Sequence, residues 1–126
     1  MTELDTATTA MRHWVAGAAT GDWTDLVAML DPEVAFDVPV DGFLGGRRGR
    51  AEAERFFNHL AEVLRAELVV GSTLRDGARI AFEVAVRGVW VQRQFRQALC
   101  LVFEIGDGRV QAFREYLAWP GGLDAD

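Results

Sequence analysis

From Leu68 to Trp119 the chain reads as a succession of β-patterned runs with turn residues between them: Leu68 to Leu74, Ala78 to Val91, Ala98 to Ile105 and Val110 to Trp119. So much alternation in so little sequence leaves room only for short turns, and therefore for an antiparallel, hairpin-connected sheet. Asp76-Gly77 marks one turn, and Gly106-Asp107-Gly108 joins the last two runs. Strand side chains alternate with period two, so each run can be assigned two faces. Ile80, Phe82, Val84 and Val86 share an inward face, against Arg79, Ala81, Glu83, Ala85 and Arg87 outward. In the last run Phe113, Glu115, Leu117 and Trp119 share a face, which sets one carboxylate among large apolar neighbours. The same parity puts Gln97 in line with Phe95, Leu99, Leu101 and Phe103.

The first half has a different period. Leu4, Met11, Trp14, Val15 and Ala18 recur at helical spacing, so a helix is expected over Asp5–Thr20, ended by Gly21. Asp22 offers an N-cap for a second, short helix carrying Leu26, Val27, Met29 and Leu30, stopped near Asp31-Pro32. Glu33 to Pro39 alternates, with Val34, Phe36 and Val38 on one face, and reads as an edge or first strand. Val40 to Arg48 has no period and reads as a loop. Gly49 to Arg65 returns to helical spacing, with Ala53, Phe56, Phe57, Leu60, Val63 and Leu64 on its stripe. Helices before strands give an α+β fold, one curved sheet wrapped against three helices.

Nothing interrupts this order, so residues 1–126 are expected to form one domain. A formal net charge of −6 disfavours a nucleic-acid partner, and the short Arg47-Arg48-Gly49-Arg50 cluster reads as a solvated loop and helix start. Cys100, the single cysteine, has no internal disulfide partner and reads as an inert core thiol. With no signal-peptide pattern at Met1-Thr-Glu-Leu-Asp5 and no long apolar span, no membrane association and a cytoplasmic location are expected.

Several segments together resemble the SnoaL-like group of the nuclear-transport-factor-2-like superfamily, which includes ketosteroid isomerases, limonene epoxide hydrolases and polyketide cyclases. They are Gly21-Asp22-Trp23, Phe36-Asp-Val-Pro39, Gly46-Arg-Arg-Gly-Arg-Ala51, Val102-Phe-Glu-Ile-Gly-Asp-Gly-Arg-Val110 and Phe113-Arg-Glu-Tyr-Leu117. The resemblance implies a cone-like, cystatin-like α+β barrel with a mixed or antiparallel sheet, an apolar pocket between sheet and helices, and commonly a homodimer through the outer sheet face. Here that face would carry Ala98, Cys100, Val102, Ala112, Arg114 and Tyr116. The general-base position of the isomerases falls on Val38, their helical tyrosine on Trp14 and their second oxyanion donor on Gln97. The similarity to limonene epoxide hydrolases puts a catalytic acid on Glu115 and their strand-one asparagine on Asp37. Their paired arginine and aspartate fall on Val84 and Val86.

Glu115 is the candidate catalytic residue. A carboxylate desolvated in an apolar pocket has a raised pKa and serves as acid or base near neutrality. The competing reading is a salt bridge or a hydrogen bond to a helix or backbone group, for example to Arg12 or Arg96. Trp14, Phe36, Val38, Phe57, Leu60, Phe82, Val84, Gln97, Leu99 and Phe113 are expected to line the pocket, with Gln97 and the Trp14 indole N–H assisting Glu115. His13 and His59 read as surface residues, Asp37 as exposed or at the rim. No Gly-x-Ser-x-Gly, Cys–His pair, phosphate loop, dinucleotide fingerprint or metal-ligand spacing is found, so no cofactor or metal is expected. The expected ligand is a small hydrophobic molecule, polyketide- or terpenoid-like. The expected function is a cofactor-independent isomerase, cyclase or hydrolase or, alternatively, a non-catalytic ligand-binding or subunit-type domain.

Overall fold

A computed structural model describes residues 2–119; the side chain of Trp119 lies outside the described residues. The elements are α1 (Glu3–Thr20), α2 (Thr24–Ala28), β1 (Leu30–Asp37), β2 (Arg47–Arg48), α3 (Arg50–Val63), β3 (Leu64–Asp76), β4 (Arg79–Trp90), β5 (Arg93–Gly106) and β6 (Arg109–Trp119). The strands form one sheet in the order β2-β1-β6-β5-β4-β3. It is an α+β fold with an N-terminal helical part and a curved, six-stranded sheet that is not closed. No described helix is long and apolar enough to cross a membrane.

Helix α1 starts from a capping box: Thr2 Oγ1 accepts the Asp5 N–H at 3.0 Å, and Asp5 accepts the Thr2 N–H at 3.2 Å. It ends at Gly21, whose left-handed φ of 85° lets its N–H reach the Gly17 carbonyl. The helix therefore begins two residues before the expected Asp5. In α2 the cap is Trp23 and not Asp22; the Asp22 carboxylate accepts the Thr24 N–H at 3.0 Å from one residue earlier.

Two boundaries move because strand pairing outcompetes helical periodicity. Helix α2 stops at Ala28, and β1 starts at Leu30 and runs through Asp31-Pro32. Leu30 pairs with Val110 in parallel, and the Val110 N–H donates to the Met29 carbonyl at 2.9 Å. The ladder is irregular between Leu30 and Ala35, so the missing N–H of Pro32 costs it no bond. Likewise α3 ends at Val63, and β3 begins at Leu64 without a loop, because Leu64 pairs with Trp90. The segment expected to be irregular contributes β2, paired to Ala35 and Phe36, and buries Phe43.

The sheet is antiparallel from β3 to β6 and parallel between β1 and β6. Inward parity holds on β4, where Ile80, Phe82, Val84 and Val86 are buried while Glu83, Ala85 and Arg87 are exposed. Cys100 is half-buried on the other face, opposite Glu83 and Tyr116, and so is not a core thiol. Burial and Glu83 together raise its pKa, which keeps it protonated and unreactive at neutral pH.

The helices are fastened by rings. Trp14 of α1 makes edge-on contacts with Trp23, Phe57, Phe103 and Phe113 at centroid distances of 5.7, 5.3, 6.0 and 5.5 Å. Such pairs are worth about 0.5–1.5 kcal/mol each beyond the area they bury.

Curvature is built with glycine and bulges. Across from Ala66, Gly88 lies so close to β3 that a Cβ would meet the Arg65 carbonyl and the Ala66 Cα. Gly71 and Ser72 together face Glu83, while Gln111 and Ala118 are extra residues on β6. Because backbone cannot yield as a flexible side chain can, Gly88→Ala is expected to lose about 1–3 kcal/mol of stability. Gly46→Ala, with only Asp37 Oδ2 at 4.0 Å, should stay within about 0.5 kcal/mol of the parent. Urea midpoints of the two variants check this.

Candidate functional site

Between α1, α3 and the concave face of the sheet lies a cavity of about 550 Å³. That is the size of a small-molecule site, whose usual range is about 300–1,000 Å³. Strand register orders its sheet wall by depth. Glu115 lies across from Leu101, which lies across from Phe82; the next level is Leu117, Leu99 and Val84, then Gln97 with Val86, then Phe95 with Gly88, and last Trp90 with Arg93. Phe113 and Phe103, the level beyond Glu115, are sealed under Trp14. The inner end is thus the aromatic core, and the outer end is the β4–β5 hairpin.

Glu115 occupies this wall because parity puts it there between Phe113 and Leu117, with buried Leu101 beside it. It keeps some accessible surface as a residue and lines the cavity, yet protein atoms crowd its carboxyl closely. Crowding decides its ionisation, because a narrow apolar cavity hydrates a charge poorly. Burial alone pushes the Glu115 carboxyl from 4.5 up to about 7. The ion-pair reading finds no support. Arg12 is exposed and donates to Thr9 Oγ1 at 3.2 Å, Arg96 is exposed, and Glu115 has no hydrogen bond or ion pair among the described residues.

Trp14, Leu60, Gln97 and Leu99 line the cavity with Glu115. Phe36, Val38, Phe57, Phe82, Val84 and Phe113 do not: each is at most 3% exposed and packs in the core. Trp14 and Gln97 stand at different depths. Trp14 packs on Phe103 and Phe113 beside the Glu115 level, whereas Gln97 lies four residues along β5 from Leu101, about 13 Å at strand rise. Gln97 and Glu115 therefore stand well apart along the cavity wall, with the Trp14 ring beside the Glu115 level. Asp37 is exposed and outside the cavity.

The outer end contains groups the sequence did not single out. His59, expected on the surface, lines the cavity, with its ring against Phe43 at 5.6 Å and Trp90 at 6.2 Å. Asp41, Pro39, Val40, Trp90 and Val91 complete this rim, and Leu64, Leu68, Val86, Phe95 and Leu117 the walls. Parity gives the faces of Leu68, Val86 and Leu117; no sequence signal brings the Asp41 loop to the hairpin tip. At that tip Val91 and Gln92 both have positive φ, 49° and 66°. This is unfavourable for a β-branched residue, and the Val91 N–H donates to the Val63 carbonyl at 2.9 Å, tying the tip to α3. Among the described residues no three His, Cys, Asp or Glu side chains are grouped as for a metal ion.

A family model described as a SnoaL-like domain matches residues 11–113. No curated protein matches the chain at a significant level. Among solved structures, an NTF2-like protein from Anabaena variabilis is 21% identical, with a TM-score of 0.90, over 96% of this chain and 92% of its own. An LEH-like epoxide hydrolase from M. tuberculosis is 20% identical, with a TM-score of 0.72, over 90% and 83%. A protein provisionally named an isomerase, from Bacillus subtilis, is 20% identical, with a TM-score of 0.81, over 93% and 89%. At these identities the likeness is one of fold.

The raised pKa carries a stability signature. The folded protein holds the Glu115 proton more tightly than the unfolded chain, so the stability this group contributes is complete below about pH 4.5, falls as pH rises, and is gone above about pH 7. The full difference is about 3 kcal/mol. Glu115→Gln should therefore be more stable than the parent at pH 8, by up to that amount, and nearly equal at pH 4. Urea unfolding at both pH values measures it, and a constant difference would mean the carboxyl is hydrated.

Proposed function

The chain belongs to the SnoaL-like family, and on that premise we propose that its cavity binds a small, largely apolar molecule on which Glu115 acts as general acid or base. The reaction class is cofactor-independent isomerisation, cyclisation or hydrolysis of a carbonyl- or epoxide-bearing substrate of polyketide or terpenoid type. The carrying observation is the isolated, desolvated Glu115 carboxyl at the inner end of the cavity. With its pKa at about 7, both protonation states are populated at neutral pH, so one group can take a proton from a carbon next to a carbonyl and return it elsewhere. The Trp14 indole N–H is the donor available to a developing enolate oxygen.

Proton transfer within one substrate fits better than activation of water. Hydrolysis of an epoxide needs a positioned water and a second charged group, and the Glu115 level and the next one out hold only the apolar Leu101, Phe82, Leu99, Val84 and Leu117. A second reading, a non-catalytic binding or subunit-type domain, draws on the same residues. The isomerase base position is Val38, 3% exposed in the core, which leaves Glu115 as the acid at the inner end among the described residues.

The two readings separate with a β,γ-unsaturated cyclic ketone in deuterated buffer. Proton transfer within one substrate predicts conversion to the conjugated ketone with the migrating hydrogen retained as protium, except for what Glu115 exchanges with solvent before returning it, and a loss of about 10²–10⁴-fold in Glu115→Gln. If Glu115 is the base, the rate climbs with pH through about 7 and then levels; if the acid, it falls through the same range. Equal rates in the variant would remove Glu115 from the chemistry.

The proposed protein is also a homodimer through the outer face of the sheet, where Val69, Leu74 and Tyr116 are 57%, 57% and 55% exposed. Tyr116→Glu should then sediment as a monomer under conditions where the parent sediments as a dimer.

A further inference from the structure

We propose that Gln97 is a specificity-determining residue, the second of two recognition points in the cavity. The substrate is then an elongated, mostly apolar molecule with a neutral hydrogen-bonding group at each end. This rests on the reading of Glu115 as the group that meets the inner end.

Gln97 is half-buried on the inward face of β5, with Val86 across from it and Phe95 and Leu99 to either side. An amide there has two N–H donors and a carbonyl acceptor, and among the described residues it has no hydrogen-bond partner. The fold has no need of it: leucine would suit the same apolar row, whereas the amide keeps its polar atoms open to the cavity. An unpaired amide in an otherwise apolar row is understandable if something in the cavity completes it. Its depth sets the length of that partner, because it stands about 13 Å along the strand from the Glu115 level. A single-ring molecule engaging Glu115 falls short of Gln97, and two or three rings in line reach it.

The groups at the outer end select the chemistry. His59, held between Phe43 and Trp90, has no hydrogen-bond partner among the described residues and is a second polar group at that end. Asp41 on the same rim offsets the charge of Arg93 at the hairpin and leaves no excess cation for a second carboxylate, so the outer end of the substrate is a hydroxyl, ester or amide and not an acid.

The test uses the full chain and biphenyl probes followed by calorimetry. 4,4′-Dihydroxybiphenyl should bind about tenfold more tightly than 4-hydroxybiphenyl. Gln97→Leu and Gln97→Met should erase that ratio, with circular dichroism confirming that both fold. 4′-Hydroxybiphenyl-4-carboxylate should bind more weakly than the diol. A ratio that survives both substitutions, or a parent protein indifferent to the second hydroxyl, overturns the second recognition point; a carboxylate that binds as well as the diol overturns the neutral outer end. Failure of every probe to bind overturns this inference and the small-molecule reading together. An intact ratio with binding unaffected by Glu115→Gln supports Gln97 and removes only Glu115 from recognition.

Discussion

Trp14 seated on the concave face of the sheet joins the helical part of this molecule to its strands. Its ring meets Phe103 and Phe113 on β5 and β6, Phe57 on α3 and Trp23 at the start of α2, so every helix is fixed to the sheet through one side chain or its immediate neighbours. The same contacts close the inner end of the cavity. Glu115 follows Phe113 on the same inward face, and its desolvation follows from how firmly the rings below it exclude water. Packing and ionisation here are two consequences of one arrangement.

The sheet could not wrap this centre if it were regular. Gly88 lets β4 approach β3 without a side chain between them, and the extra residues of the bulges sharpen the bend at both ends of β6. The bulge at Ala118 has a further effect. Leu117 lies across from Leu99, but the next pair is Ala98 with Trp119, so the register slips by one residue where β6 leaves the cavity. The simple parity that placed Glu115 holds for Leu117 but, extended four residues to Trp119, does not carry through the slip.

This explains which parts of the molecule were legible in the sequence. Alternation reports the face of a strand, and so the inward rows of β4, β5 and β6 could be read without coordinates. It does not report depth along the strand. Phe113, Glu115 and Leu117 share one parity, yet the first is sealed core, the second lines the cavity and the third is 38% exposed. For the same reason Phe36, Val38, Phe82 and Val84 could be recognised as inward but not separated from the cavity wall. The parallel pairing of β1 with β6 joins segments some eighty residues apart and leaves no local pattern. The same holds for His59 and Asp41, which reach the rim through the packing of α3 and the loop after β1.

On the proposed function, the depth order along the wall would also link ligand binding to protonation. Burial among protein atoms already holds the Glu115 carboxyl at about 7. An apolar ligand against Leu99 and Leu117 replaces what hydration remains, and by the same desolvation the charged form becomes still less favourable. Binding and proton uptake then reinforce each other, since each shifts the other by an equal free energy. A ligand that offers Glu115 only hydrocarbon is bound with the acid neutral. One that presents a hydrogen-bond donor, or a carbon acid whose negative charge can pass to an oxygen near the Trp14 N–H, compensates the carboxylate and keeps it ionised. On the proposed function the fold supplies desolvation, and the polar group that a ligand would bring to the inner end decides whether Glu115 would meet it as an acid or as a base.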